Sequence, residues 1–102
     1  MILRVLTATV RQERADPFNE LMRQQLPILR EHPGLLYVKL ARRLQGADEE
    51  VILVEEWRDT ASLYGWTGPE LLKPRLLPGA EDLVTDLRVL HYEALDIEPD
   101  DG

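Results

Sequence analysis

The side chains able to do chemistry are few. Trp57 and Trp66, the chain's two tryptophans, bracket a short segment in which Asp59 can cap a helix. Trp66 can serve as the aromatic wall for a planar molecule or as a plug in the core. Trp57, at a strand end, fits packing better, and Tyr64 is a core or surface residue. His91 lies on an alternating stretch and belongs to the one side-chain class that exchanges a proton near neutral pH. Arg88 is three residues before it, so on a strand only one of the two can face a given pocket. His32 precedes Pro33-Gly34 and reads as a helix-terminal residue.

Other chemistries lack their residues. The chain has no cysteine, hence no disulfide, thiol nucleophile or thiolate metal site. Ser62 is its only serine, at a helix start where capping explains it, so a serine triad has no basis. The two histidines have no ligand-spaced carboxylates beside them, so no metal is expected. The glycines lack phosphate-binding spacing, and no cofactor is indicated. Glu55 and Glu56 are adjacent and point to opposite faces of a strand. Whichever turns inward needs Arg4, Lys39 or Arg42 as partner. A net charge of −7 disfavours nucleic acid and anionic membranes as partners. No leader-peptide pattern and no apolar run of roughly 20 residues is present, so a cytoplasmic location is expected.

The elements that must position these residues follow from periodicity. A length of 102 residues allows one domain. Residues 2–10 form an apolar strand interrupted by Arg4, Thr7 and Thr9. Asp16-Pro17 opens a helix whose stripe is Phe18, Leu21, Met22, Gln25, Ile28 and Leu29, with Pro27 expected to kink or end it near Leu26. His32-Pro33-Gly34 stops it. Residues 35–44 alternate as an edge strand, 45–50 make a polar hairpin loop, and Val51–Val54 head a central strand reaching residue 58. A helix follows over 59–66, then a short one over Glu70–Leu77, and a last strand over 83–94. From Asp96 an acidic tail has nothing to bury and is expected to be disordered.

The order β-α-β-β-α-β predicts an α+β, ferredoxin-like fold with an antiparallel four-stranded sheet, strands one and three central. Both helices would cover one face. A domain this small cannot hide the other apolar face alone, so two sheets are expected to pack into a dimeric α/β barrel.

His32-Pro33-Gly34 before Leu35-Leu36-Tyr37-Val38, then Val54-Glu55-Glu56-Trp57-Arg58-Asp59 and an aromatic helix ending at Trp66, resembles the antibiotic biosynthesis monooxygenase-like, dimeric α/β-barrel family over residues 1–95. The resemblance implies a homodimer with a pocket between sheet and helices. It further implies a cofactor-independent monooxygenase of a small aromatic or polyketide-like molecule. On that reading Trp66 and His91 are the candidate catalytic residues and Tyr37, Trp57 and Arg88 the candidate substrate-binding residues. The alternative is a non-catalytic, small-molecule-binding or structural dimer. Haem-degrading members of the family use an Asn on the first strand and a His about ten residues after the Trp. Here the first strand has no Asn, and Leu76 stands in the second place, which disfavours haem chemistry.

Overall fold

The computed structural model describes residues 1–95; the expected tail from Asp96 lies outside them. The elements are β1 (Ile2–Arg11), α1 (Gln12–Arg30), β2 (Leu35–Gln45), β3 (Asp48–Trp57), α2 (Thr60–Thr67), a 3-10 turn (Glu81–Leu83) and β4 (Val84–Glu93). The strands form one antiparallel sheet in the order β2-β3-β1-β4. This is the ferredoxin-like βαββαβ arrangement, with the two strands that are apolar on both faces at its centre.

Strand parity divides the sheet into two unlike faces. On one, Arg4, Leu6, Ala8 and Val10 of β1 and Val51, Leu53, Glu55 and Trp57 of β3 are all buried. The apolar ones among them pack with Phe18, Met22 and Leu29 of α1 and Leu63 and Trp66 of α2, one cluster that is the core. The other face carries Leu3, Val5, Ile52 and Val54, partly exposed, and Tyr37, Leu90 and Tyr92, nearly half exposed. Among the described residues no helix is long and apolar enough to cross a membrane.

Several boundaries differ from expectation, each for a physical reason. α1 begins at Gln12, not at Asp16-Pro17, because the β2–β3 turn supplies its cap. Gln12 donates its backbone N–H to Ala47 O (3.1 Å) and its side-chain amide to Gly46 O (2.8 Å). Pro17 and Pro27 both lie inside the helix, and α1 runs past Leu26 to Arg30. Both prolines are solvent-facing, so the carbonyls of Glu13 and Arg23 that lose a helical donor can turn to water. Ile28 is exposed, and Asn19 takes a buried place instead, donating to Glu49 at 3.0 Å.

The 45–50 loop is a tight turn at Gly46-Ala47, and β3 starts at Asp48. Its acidic residues stay in the strand because arginines across the hairpin pair with them, Arg42 with Glu49 (2.5 Å) and Arg43 with Glu50 (2.9 Å). Glu70–Leu77 is not helical. Pro74 has no N–H and pushes Lys73 out of the helical region, leaving one turn in which Lys73 N–H reaches Glu70 O (3.1 Å). Gly34 is required where it stands: its φ is +88°, and a Cβ there would collide with the Ser62 side chain. That close approach seats the Pro33-Gly34 turn on α2, whose first turn is capped by Asp59 accepting from Ser62 N–H (2.8 Å).

Candidate functional site

Four polar side chains cross the helix-covered face in a row: His91 on β4, Arg4 on β1, then Glu55 and Trp57 on β3. Sheet register puts them there. Arg4 is paired with His91 on one side and Glu55 on the other, and Trp57 follows Glu55 by two residues onto the same face. Arg4 Nη1 donates to His91 Nε2 at 2.9 Å, and Trp57 Nε1 donates to Glu55 Oε1 at 2.9 Å. Arg4 Nε stands 3.9 Å from the same carboxylate oxygen, a loose pairing for two groups each only 2% exposed.

The electrostatics follow from that geometry. A guanidinium has only donors, so His91 Nε2 is the acceptor and carries no proton. Burial, and then the Arg4 charge, hold the His91 imidazole below its ordinary pKa. Burial pushes the Glu55 carboxyl up, against the Trp57 hydrogen bond and the Arg4 charge. Burial likewise lowers Arg4, with Glu55 opposing. For both members of the pair, loss of water outweighs an attraction acting across 3.9 Å.

Arg4's other donors go to main chain. Nη1 also donates to Leu71 O, and Nη2 donates to Lys73 O at 2.9 Å. Both carbonyls belong to the irregular segment 68–80 between α2 and the 3-10 turn. Gln25 of α1 holds the same segment, donating to Arg75 O at 2.7 Å, while its own Oε1 is buried without a partner among the described residues. The Arg75 guanidinium lies over the Trp66 ring, 4.1 Å from its centroid, and donates to Trp66 O. His32 meets the same ring edge-on at 4.8 Å. Trp66 is therefore covered, at 2% exposure. Two cavities, of about 240 and 300 Å³, share Arg75 and Leu76 as walls.

The chain matches the family model for antibiotic biosynthesis monooxygenase over residues 1–73. It belongs to that family. Solved structures repeat the fold. A Deinococcus radiodurans protein provisionally assigned as an antibiotic biosynthesis monooxygenase superposes with a TM-score of 0.75 at 21% identity, covering 100% of both chains. Rv0793 from Mycobacterium tuberculosis gives 0.73 at 20% identity, over 96% of this chain and 98% of that one. MhuD, as a point mutant with two manganese protoporphyrin IX bound per active site, gives 0.68 at 16% identity over 97% and 100%. At these identities the likeness concerns the fold. No curated protein matches the chain.

The antibiotic biosynthesis monooxygenase match ends at residue 73, before β4, so His91 stands outside it. Of the residues singled out from sequence, Trp57, Trp66 and His91 lie on the helix side of the sheet, Trp57 and His91 linked through Glu55 and Arg4. Tyr37 and Arg88 do not join them. Tyr37 pairs with Glu56 and Arg88 with Thr7, which puts both on the opposite face, away from the helix-side cavities. Three groups went unrecognised as site residues. Arg4 was visible as a charge interrupting an apolar strand and as one of three possible partners for an inward-facing glutamate, a signal in itself, since a charge on a central strand is buried. Gln25 read as one position in a helical stripe. Arg75 had no local signal, because only the path of segment 68–80 brings it to Trp66.

Proposed function

We propose that this chain is a homodimeric, cofactor-independent monooxygenase that oxidises a small aromatic or polyketide-like molecule with dioxygen between its sheet and helices. The observation that carries the reading is the His91–Arg4 pair, an unprotonated imidazole nitrogen beside a buried cation at 2.9 Å on the helix-covered face of the sheet. When Arg4 turns its Nη1–H from Nε2 to the substrate, the freed imidazole lone pair takes the substrate's proton and the guanidinium holds the resulting anion. The anion is electron-rich enough to reduce dioxygen itself. An activated methylene then becomes a carbonyl: one oxygen atom stays on the carbon, its two hydrogens leave with the other as water, and all four electrons come from the substrate. Trp66 supplies the flat surface, and Trp57 fixes Glu55 and through it Arg4. The dimer follows from the half-exposed apolar face, which a second copy of the sheet would cover; Tyr37 and Arg88 belong to that interface.

Oxygen uptake with anthrone-like and dihydroxy-aromatic compounds tests the reading. Wild type is expected to consume oxygen, and His91→Gln to slow it by about a hundredfold or more, the range for losing a general base. Absence of uptake by wild type, or uptake unchanged in both His91→Gln and Trp66→Ala, excludes it. A non-catalytic binding dimer is the second reading. It is favoured by the extent to which Phe18, Met22, Leu29, Leu53 and Leu63 already fill the interior, and its mark is binding of these compounds without uptake. A haem fits poorly. Leu76, which lines a cavity with Trp66, has no atom to ligate iron.

A further inference from the structure

We propose that segment 68–80 sits in its own ligand's place: Leu71 O and Lys73 O stand where two oxygens of a planar anion bind Arg4, and Arg75 stands where its ring stacks on Trp66. The ligand class is an ionised aromatic hydroxy-carbonyl compound with two neighbouring oxygens.

Arg4 carries the argument. It is a buried cation whose one carboxylate partner among the described residues is 3.9 Å away, while its two terminal nitrogens donate to neutral carbonyls. A hydrogen bond between charged partners is roughly twice as strong as one to a neutral acceptor, so anionic oxygens outcompete both carbonyls. One acceptor on Nη1 and another on Nη2 is the fork that guanidinium reads in two-oxygen ligands. His91 Nε2 touches the same Nη1 atom as Leu71 O, so an oxygen replacing that carbonyl has the imidazole as its neighbour.

The covering segment is built to leave. It has no regular structure, and a connection this long without any is uncommon in a compact domain except as a binding loop or lid. Leu72 at its centre is 73% exposed. The Arg75 side chain, its guanidinium carbon 4.1 Å from the centroid of the ring, is itself exposed and returns to water at little cost. Each cavity bordering the segment is at or below the roughly 300 Å³ where small-molecule sites begin; displacing Arg75 and Leu76, their shared wall, joins them. The Gln25 amide, freed from Arg75 O, then has both ends available to the ligand or to the displaced chain.

The chemical use of the site rests on the oxygenase reading, but its occupancy is tested without turnover. Calorimetry with 2-hydroxy-1,4-naphthoquinone, an anion at neutral pH, is compared with its neutral 2-methoxy analogue. Hydrogen exchange of the 68–80 peptide is followed in the same samples. The hydroxyquinone is expected to bind wild type about tenfold or more tightly than the methoxy compound, the ratio for one charge-assisted hydrogen bond. Exchange in 68–80 is expected to rise on binding. Arg4→Gln should erase the preference, and Arg75→Ala, an exposed position that leaves the core intact, should tighten hydroxyquinone binding. Equal affinities, no binding, or binding that leaves 68–80 exchange unchanged overturns the proposal, as does an Arg75→Ala variant that binds no better. Oxygen uptake without this binding defeats the displacement alone; binding with displacement but no uptake defeats the oxygenase reading alone.

Discussion

Burying an arginine on a central strand is costly unless its donors are met, and here they are met by a histidine, two main-chain carbonyls and a distant carboxylate. His91 is the reporter of that arrangement. The groups facing it are Arg4 directly across from β1, Glu55 beyond Arg4, and the main chain at Leu71 and Lys73. Titration of the His91 ring protons by NMR is expected to give a pKa below the ordinary value of about 6.5. Arg4→Gln should move it upward only part of the way, because burial, the larger cause, remains. A wild-type value at or above the ordinary one defeats this account. The sign for stability follows. The folded protein binds this proton less readily than the unfolded chain, so the fold loses stability as pH falls from about 6.5 through the folded-state value. Above that window His91 is neutral in both states and contributes nothing. His91→Gln should therefore flatten this part of the pH–stability curve.

At the scale of elements, the Pro33-Gly34 turn shows how local chemistry fixes tertiary geometry. Gly34 O accepts from Arg58 N–H at 2.8 Å while Ser62 crowds the place of a Cβ, so one residue ties the end of β3 to the start of α2. Gly34→Ala is expected to cost about 2 kcal/mol or more, combining the left-handed backbone with the collision. Urea denaturation measures it, and adding Ser62→Gly should recover only the collision part. An unaltered midpoint for Gly34→Ala would remove the turn's role. This turn was legible from sequence because proline and glycine act through their own backbones, and the Asp59 cap was legible because its carboxylate acts on an amide only three residues along. The start of α1 was not legible, since its cap comes from a hairpin turn far along the chain. Pro17 and Pro27 misled for a related reason: their cost depends on which side of the helix meets water, which tertiary structure decides. Glu49 and Glu50 read as loop residues from sequence, because the ion pairs with Arg42 and Arg43 that hold them in the strand depend on the register of the hairpin. The pattern of two-residue alternation was sufficient to separate Arg88 from His91, and the register with Arg4 settled which one faces the helices.

At the scale of the whole molecule, the two faces of the sheet have different tasks. The helix side holds the His91–Arg4–Glu55–Trp57 row and closes within one chain. The open side has an apolar centre of Val5, Ile52, Val54 and Leu90, with polar residues toward the edges: Arg43 hydrogen-bonded to Glu50 at 2.9 Å, and Arg88 adding to the positive field that holds Glu50's carboxyl below its usual range. An apolar middle with a charged rim is the composition of a protein interface. Sedimentation at micromolar concentration is expected to find wild type as a dimer and Ile52→Asp as a monomer, since a carboxylate at the centre would be buried without a partner. A wild-type chain that sediments as a folded monomer removes the interface. The same variant separates the two faces. If the chemistry belongs to the helix side of each subunit, monomeric Ile52→Asp should keep the His91 titration and the hydroxyquinone preference of wild type. Loss of either alongside the dimer would mean that the second copy shapes the site, and that Tyr37 and Arg88 reach it from across the interface.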